Sequence, residues 1–298
     1  MKTNRTVLKW AGSKVRISEI LRRHLPAGQR LVEPFAGSCA MMMNTDYDEY
    51  LAADINPDLI NMYEVIKKKP EEFICVAKDL FKTANNESTY YKKRLAFNLP
   101  VDSPFIRAVY FLYLNRHCYN GLCRYNQSGG FNVSFGKYKA PYFPEAEIRA
   151  FAEKAKKATF VCCSYAEALA MVRPGDVVYC DPPYLPASQS ADFSSYHSGP
   201  FGMADHLRLK VILRRLAERS YPVVVSNSDT PKSRALFCEF NLTGITAPRS
   251  IGAAANSIKF APEIIAKITP DNPKYLPPDP SVDSLLMAGF QDREDDCE

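Results

Sequence analysis

Short apolar runs that end at turn residues recur along the chain: Leu31-Val32, Tyr50-Leu51-Ala52-Ala53, Phe160-Val161-Cys162-Cys163, Val177-Val178-Tyr179-Cys180, Val223-Val224-Val225 and Ile264-Ile265-Ala266. None alternates apolar with polar positions, the pattern of parallel strands covered on both faces. Helical spacing fills several gaps between them. Residues 13–25 place Ile17, Ile20, Leu21 and His24 three and four apart. Residues 144–158 open with Pro144, carry Glu145 and Glu147 early and end in Lys154, Lys156 and Lys157, the order that a helix dipole favours. Residues 204–220 set Leu207, Val211 and Leu216 on one side and Arg208, Arg214 and Arg215 elsewhere. Strands alternating with helices predict a doubly wound α/β domain.

The alternation fails between residues 57 and 144. Residues 58–80 read as one helix, and 103–118 as another, with Ser103 as N-cap and Pro104 at its first position. The second is apolar on most faces and is expected to be buried. After it come the turn signals Asn120-Gly121 and Ser128-Gly129-Gly130, then Phe131-Asn132-Val133-Ser134-Phe135, which alternates as a strand does. The expected division is therefore a discontinuous α/β domain (1–56 and 145–270), a helix-rich insertion (57–144) and a tail (271–298).

Charge sharpens this picture. The 298 residues hold 38 bases and 33 acids, a net charge of +5. Residues 269–298 contain eight acids against two bases, a balance of −6 that leaves +11 for residues 1–268. With five of the 22 prolines in the same stretch, the tail is expected to stay disordered and to aid solubility. Residues 105–140 hold five bases, no acid and nine aromatic rings. Cations interleaved with rings suit phosphate neutralisation and base stacking, and equally a packed helix with a solvated basic rim. No 18-residue apolar run exists and Met1 to Arg5 lacks a signal-peptide pattern, so neither a membrane span nor export is expected. Nine cysteines without a C-x-x-C pair argue against a zinc or disulfide framework and fit reduced cytoplasmic thiols.

Five segments carry candidate chemistry. Asp181-Pro182-Pro183-Tyr184 follows directly on an apolar run, and two prolines force the chain out of the sheet where open α/β sheets bind ligands. Asp181 and the Pro182 carbonyl can each accept one N–H of an amino group conjugated to a ring, freeing its lone pair, while Tyr184 stacks on that ring. Glu33-Pro34-Phe35-Ala36-Gly37-Ser38 has the form of a strand, a tight turn and a helix start at Ser38, with Phe35 and Gly37 in the turn and Cys39 where a second glycine is expected. Asp54, at the end of the next run, suits ribose hydroxyls or a helix cap. Lys9-Trp10-Ala11-Gly12-Ser13-Lys14 combines the one Trp, a Gly turn and cations, a clamp for a small carboxylate or a core Trp before a helix. Lastly, Asn115-Arg116, then Tyr119 to Asn126 with Asn120, Leu122 and Arg124, and Gly136-Lys137-Tyr138 offer an Arg able to read guanine and a Tyr-Asn pair able to wedge into a base stack.

These segments, in this order, resemble the Dam-type DNA adenine methyltransferases, the α-group of amino-methyltransferases, over residues 2 to about 268. The resemblance implies a Rossmann-like S-adenosylmethionine-dependent sheet with an inserted helix-rich DNA-recognition domain. It implies methyl transfer from S-adenosylmethionine to adenine N6 in double-stranded DNA by base flipping, within GATC, by a monomeric bacterial or phage-encoded cytoplasmic enzyme with no metal. Carried over by motif, Trp10, Lys14, Asp54 and Asp181 would contact the cofactor, with Ser164 and Tyr165 near its adenine. Lys9, Arg124 and Tyr138 match recognition residues, Tyr119 and Asn120 the intercalating pair, and Arg116, Leu122, Asn126 and Lys137 lie in the same blocks. The sequence departs from the family at Cys39 for glycine, Ser134 for proline, Lys137 for arginine and a less basic stretch at 248–259. Methylation of RNA adenine or of a protein amide, and DNA binding on an inactive methyltransferase fold, are the competing readings.

Overall fold

The computed structural model describes residues 3–100, 103–185, 201–249 and 259–269. The acidic tail expected at 271–298, and most of the stretch 248–259, lie outside the described residues.

Seven strands form one sheet: β1 (Arg30–Glu33), β2 (Glu49–Asp54), β3 (Ala158–Cys162), β4 (Asp176–Cys180), β5 (Val223–Ser228), β6 (Asn241–Arg249) and β7 (Lys259–Ile268). Their order is β3-β2-β1-β4-β5-β7-β6. The first five pair in parallel, and β7 runs antiparallel to both β5 and β6. All six apolar runs are strands, but Ile264-Ile265-Ala266, expected to be parallel like the rest, lies in the antiparallel β7. The sequence reading missed β6, because Asn241-Leu242-Thr243-Gly244 lacks a continuous apolar run. β1 and β4 are buried along their whole length, as a sheet covered on both faces requires.

Ten α-helices accompany the sheet among the described residues: α1 (Ser18–His24), α2 (Ala40–Asn44), α3 (Pro57–Lys68), α4 (Pro70–Thr83), α5 (Glu87–Asn98), α6 (Pro104–His117), α7 (Glu145–Ala155), α8 (Tyr165–Ala170), α9 (Met203–Glu218) and α10 (Pro231–Leu236). None is long and apolar enough to cross a membrane. Three expectations need correction. The single helix expected over 58–80 is two, because Pro70 starts α4 and holds Lys69 at φ −139° and ψ 56°, outside the helical region. On α9, Val211 and Leu216 are buried as expected, together with Leu209 and Leu213, whereas Leu207 is exposed and Arg214 is buried. The segment 131–135 is not a strand. It makes only the isolated bridges Tyr125↔Phe131 and Cys118↔Phe135. Side chains of α5 replace a partner strand: Asn98 brackets the Phe131 backbone at 2.8 and 3.0 Å, and Tyr90 and Arg94 donate to the Val133 carbonyl at 2.8 and 3.0 Å. The alternation seats Phe131 and Val133 in the helical core.

Helix α6 begins as expected, with the Ser103 hydroxyl accepting from the Ile106 N–H at 3.3 Å, and is buried from Phe111 to His117. It packs against α3, α4 and α5. One apolar cluster joins Leu31, Tyr50 and Ile265 of the sheet to Phe111, Leu114 and Phe131 of the insertion, so these segments share a core. A second cluster, with Val178, Val223, Leu213 and Ile264, fills the other sheet face.

Candidate functional site

The carboxyl ends of β1, β2, β4 and β5 meet at one edge, where an open α/β sheet binds its ligands. Parallel pairing sets Val225 against Cys180, so the residues that follow, Ser226 and Asp181, are neighbours. The Ser226 hydroxyl donates to Asp181 Oδ1 at 2.8 Å, and Lys14 Nζ reaches the same oxygen at 3.0 Å. Lys14 is buried, held also by the Gly12 carbonyl at 2.8 Å, and lies 4.5 Å from the Tyr184 ring centre. Tyr184 donates its hydroxyl to Glu263 Oε2 of β7 at 2.8 Å, and burial pushes its phenol well above the usual range. Pro182 is buried and Pro183 exposed, so the backbone turns away at the surface. The N-terminal segment, β4, β5 and β7 thus each supply part of one constellation.

Beside it lies a second, more apolar subsite. The turn after β1 places Gly37 at φ 46° and Cys39 at φ 55° and ψ 37°, both left-handed. Helix α2 therefore starts at Ala40, two residues after the Ser38 start expected from sequence. Gly37 is obligatory here twice over, because a Cβ would stand 2.8 Å from Trp10 Nε1. Trp10 packs flush on this turn, half-buried against the core. The Gly37 N–H donates to Asp54 Oδ2 at 2.9 Å, and Tyr63 donates to the Gly37 carbonyl at 2.5 Å. Asp54 does not cap α3. Asn56 does, accepting from Asp58 and Leu59, while Asp54 Oδ1 accepts the Asn56 N–H at 3.0 Å. Phe35 stacks on Tyr165 with ring centres 5.5 Å apart, and Phe201 meets both edge-on. Burial, together with the charge of Asp181, pushes the Glu33 carboxyl up to about 8 against a hydrogen bond to the Met42 backbone. Ile55, the residue after β2, is exposed beside Asp54 and was not singled out from sequence. Ser164, at the carboxyl end of β3, is the N-cap of α8. Its N–H and hydroxyl both bind Glu167 at 2.7 Å in a capping box that starts α8.

The cationic, aromatic stretch forms a surface at the end of α6. Tyr119 is exposed, and Asn120 takes φ 54°, the left-handed corner that the Asn-Gly signal predicts. The Asn120 N–H donates to the Tyr138 hydroxyl at 3.0 Å, and Lys9 Nζ stands 4.1 Å over the Tyr138 ring. Asn115 fastens this turn to the N-terminal segment: it accepts the Lys9 N–H at 3.0 Å and donates to the Lys9 and Gly121 carbonyls at 2.8 and 3.1 Å. Lys9 and Trp10 are thus adjacent residues facing the two different subsites. Arg124 is exposed and its Nε is aimed by Asn132 Oδ1 at 2.7 Å. Lys137 is exposed with φ 54°. Leu122 is half-buried against the core, and Asn126 serves its own turn, accepting the Gly130 N–H at 2.8 Å. Arg116 corrects the sequence reading. It is buried, and its guanidinium donates to the Thr6 and Val7 carbonyls, so it ties the N-terminal segment to α6 instead of facing a ligand.

The arrangement can hold an exocyclic amino group between Asp181 and the Pro182 carbonyl, next to an aromatic-lined subsite with a buried ammonium. Tyr179, Ser226 and Glu263 were missed from sequence. For Ser226 the signal was legible: Ser-Asn-Ser directly after Val223-Val224-Val225 is a polar end on a buried strand. Glu263 had none, because β7 runs against the others. Among the described residues no group of three His, Cys, Asp or Glu side chains could hold a metal ion.

Comparison with known proteins bears on this geometry. Residues 10–251 match the family described as D12 class N6 adenine-specific DNA methyltransferase. The chain is 56% identical over 262 residues to the Retron Ec67 DNA adenine methylase of Escherichia coli, covering 88% of this chain and 90% of that protein. It is 49% identical over 253 residues to the DNA adenine methylase of Serratia marcescens, covering 84% and 93%. To the DNA adenine methylase of Escherichia coli strain K12 it is 46% identical over 271 residues, covering 91% and 97%.

Proposed function

The chain belongs to the D12 class of N6 adenine-specific DNA methyltransferases, and from that premise we propose that it methylates adenine within GATC, with Asp181 and the Pro182 carbonyl as acceptors for the two amino N–H groups. The enzyme is S-adenosylmethionine-dependent, and that cofactor supplies a methyl group on a sulfonium centre. The observation that carries the site assignment is Asp181 at the end of β4, with Lys14 and Ser226 both on Oδ1.

The residues present fit the cofactor. The buried Lys14 ammonium suits a carboxylate, Trp10 walls a turn that a Cβ at Gly37 would fill, and Phe35 with Tyr165 offers a ring surface. Asp54 fixes the glycine turn between them. In the reaction this chain's groups orient and polarise. The adenine amino nitrogen is a poor nucleophile because its lone pair is delocalised into the ring. Accepting both of its N–H bonds outside the ring plane favours tetrahedral nitrogen and localises that pair. Tyr184 stacks on the flipped base, its ring fixed by Glu263 on one side and Lys14 on the other.

On the DNA side, Lys9, Arg124 and Tyr138 read base edges, Tyr119 and Asn120 enter the stack, and Lys137 meets phosphate. The catalytic unit comprises residues 1–56 and 145–270 and the target-recognition unit 57–144. The test is transfer of labelled methyl to duplexes with GATC or with one base pair changed, and to RNA and protein. Incorporation is expected in the GATC duplex alone, and equal labelling of the altered duplexes would remove the site assignment. Asp181→Ala should lose transfer by at least about a thousandfold while keeping duplex affinity, as removal of a group acting in the transition state does. Turnover at the parental rate in that variant would refute the mechanism.

A further inference from the structure

We propose that Ser226, backed by Tyr179, is a positioning residue that fixes the rotation of the Asp181 carboxylate so that Oδ2 faces the adenine amino group. The inference rests on the reading of Asp181 as an amino-group acceptor.

Hydrogen-bond inventory gives the direction of the chain. Ser226 is fully buried, and its hydroxyl has one proton, which goes to Asp181 Oδ1 at 2.8 Å. The Tyr179 hydroxyl lies 2.9 Å from Ser226 Oγ, so with that proton committed it must be the donor. Tyr179 and Asp181 are two residues apart on one extended segment and project to the same sheet side, which lets both reach Ser226 on β5. Burial and the Asp181 charge push the Tyr179 phenol well above its ordinary range, so it keeps the proton that it donates.

Oδ1 is thereby doubly engaged, by Ser226 and by Lys14 at 3.0 Å. Its lone pairs are committed, and among the described residues no donor is recorded on Oδ2. A carboxylate rotates in a broad, roughly two-fold well about χ2. Lys14 alone can follow it, because an ammonium on a four-carbon stem donates in any direction. Ser226 cannot follow, because its backbone is fixed by pairing with Ile265 of β7 and its short, fully buried side chain has one rotor and one donor. The serine therefore distinguishes the two oxygens and presents one of them. Removing its hydroxyl leaves the charge in place and frees the rotation. The loss should fall on the transfer step and not on binding.

The test measures single-turnover transfer by the full chain with saturating S-adenosylmethionine and a GATC duplex, beside separate affinities for each. Ser226→Ala is expected to slow transfer on the order of ten- to a hundredfold, with both affinities within about a factor of three. Ser226→Thr, which keeps the hydroxyl, should recover most of the rate. Tyr179→Phe, which removes the donor behind the serine, should slow transfer by roughly three- to tenfold. It decides the matter should Ser226→Ala fail to fold. A parental rate in Ser226→Ala, or in Tyr179→Phe where the alanine variant does not fold, overturns the proposal. So does a Ser226→Ala loss that Thr fails to restore at all, because the hydroxyl is then not the active feature. Asp181→Ala run alongside separates the two levels. Full activity there removes the underlying reading, whereas an inactive Asp181→Ala beside a fully active Ser226→Ala removes only this inference.

Discussion

Folding stability is expected to peak near pH 6.5, because two buried bases and one buried acid pull in opposite directions. His117 and His206 are fully buried, and desolvation holds both imidazoles down to about 4 against 6.5 in the unfolded chain. A base depressed in this way stays neutral when folded but takes up a proton when unfolded. Its stabilising contribution is complete above pH 6.5 and is lost as the pH falls towards 4. Glu33 behaves in the opposite sense. With its carboxyl raised to about 8 from 4.5, the folded chain holds a proton that the unfolded chain has released. That contribution is present below pH 4.5 and is lost as the pH rises through 8. Between pH 6.5 and 4.5 the unfolded chain binds two extra protons and the native chain one, a net uptake of one on unfolding. Stability then falls by about 1.4 kcal/mol per pH unit, on the order of 3 kcal/mol over the interval. Between pH 6.5 and 8 only Glu33 differs, and about 2 kcal/mol is lost as the pH rises. His24, also lowered by burial, adds to the acid limb. Urea unfolding followed by circular dichroism from pH 4.5 to 8 measures both limbs. Glu33→Gln should flatten the alkaline limb and roughly double the acid slope, and replacing both buried histidines with Gln should reverse the acid limb. A curve that runs monotonically through pH 6.5, or an alkaline limb unchanged in Glu33→Gln, would refute the reasoning.

Arg124→Ala should cost about 1–3 kcal/mol of discrimination at one guanine while sparing the other positions, read from transfer rates on duplexes altered one base pair at a time. Asp176→Ala should destabilise the fold by about 3–5 kcal/mol, because it strands the Arg30 guanidinium that Asp176 now grips at 2.7 and 2.9 Å between β1 and β4. That pair lies at the amino end of the strands, opposite Asp181, so specific activity of the folded variant at low temperature should match the parent; thermal unfolding and transfer assays together check both halves.

Much of the fold was legible because buried parallel strands leave continuous apolar runs. The parts that were not legible had other physical causes. β6 pairs only with β7 and carries Gly244 and Thr243 where a run was sought. The 131–135 segment has the alternation of a strand, but its carbonyls are met by Tyr90, Arg94 and Asn98, partners that no local pattern reveals. At the site, residues named from the Asp-Pro-Pro-Tyr, Gly-turn and Lys-Trp motifs converge on one edge. Arg116 was read as a ligand contact because composition cannot tell a cation facing solvent from one bound to carbonyls.

The place of β7 in the sheet sets an order on how the protein comes into being. β7 is the last described strand to be synthesised, yet it lies between β5 and β6. As the chain emerges from the ribosome, β6 is made before β7, with which it pairs, and β5 waits for its antiparallel neighbour. Insertion of residues 259–268 closes that gap and in the same motion delivers Glu263 to the Tyr184 hydroxyl. Nascent chains that stop short of this strand hold the Asp-Pro-Pro-Tyr segment without the carboxylate that accepts the Tyr184 hydroxyl, so that support is completed in one late step of synthesis and not by degrees.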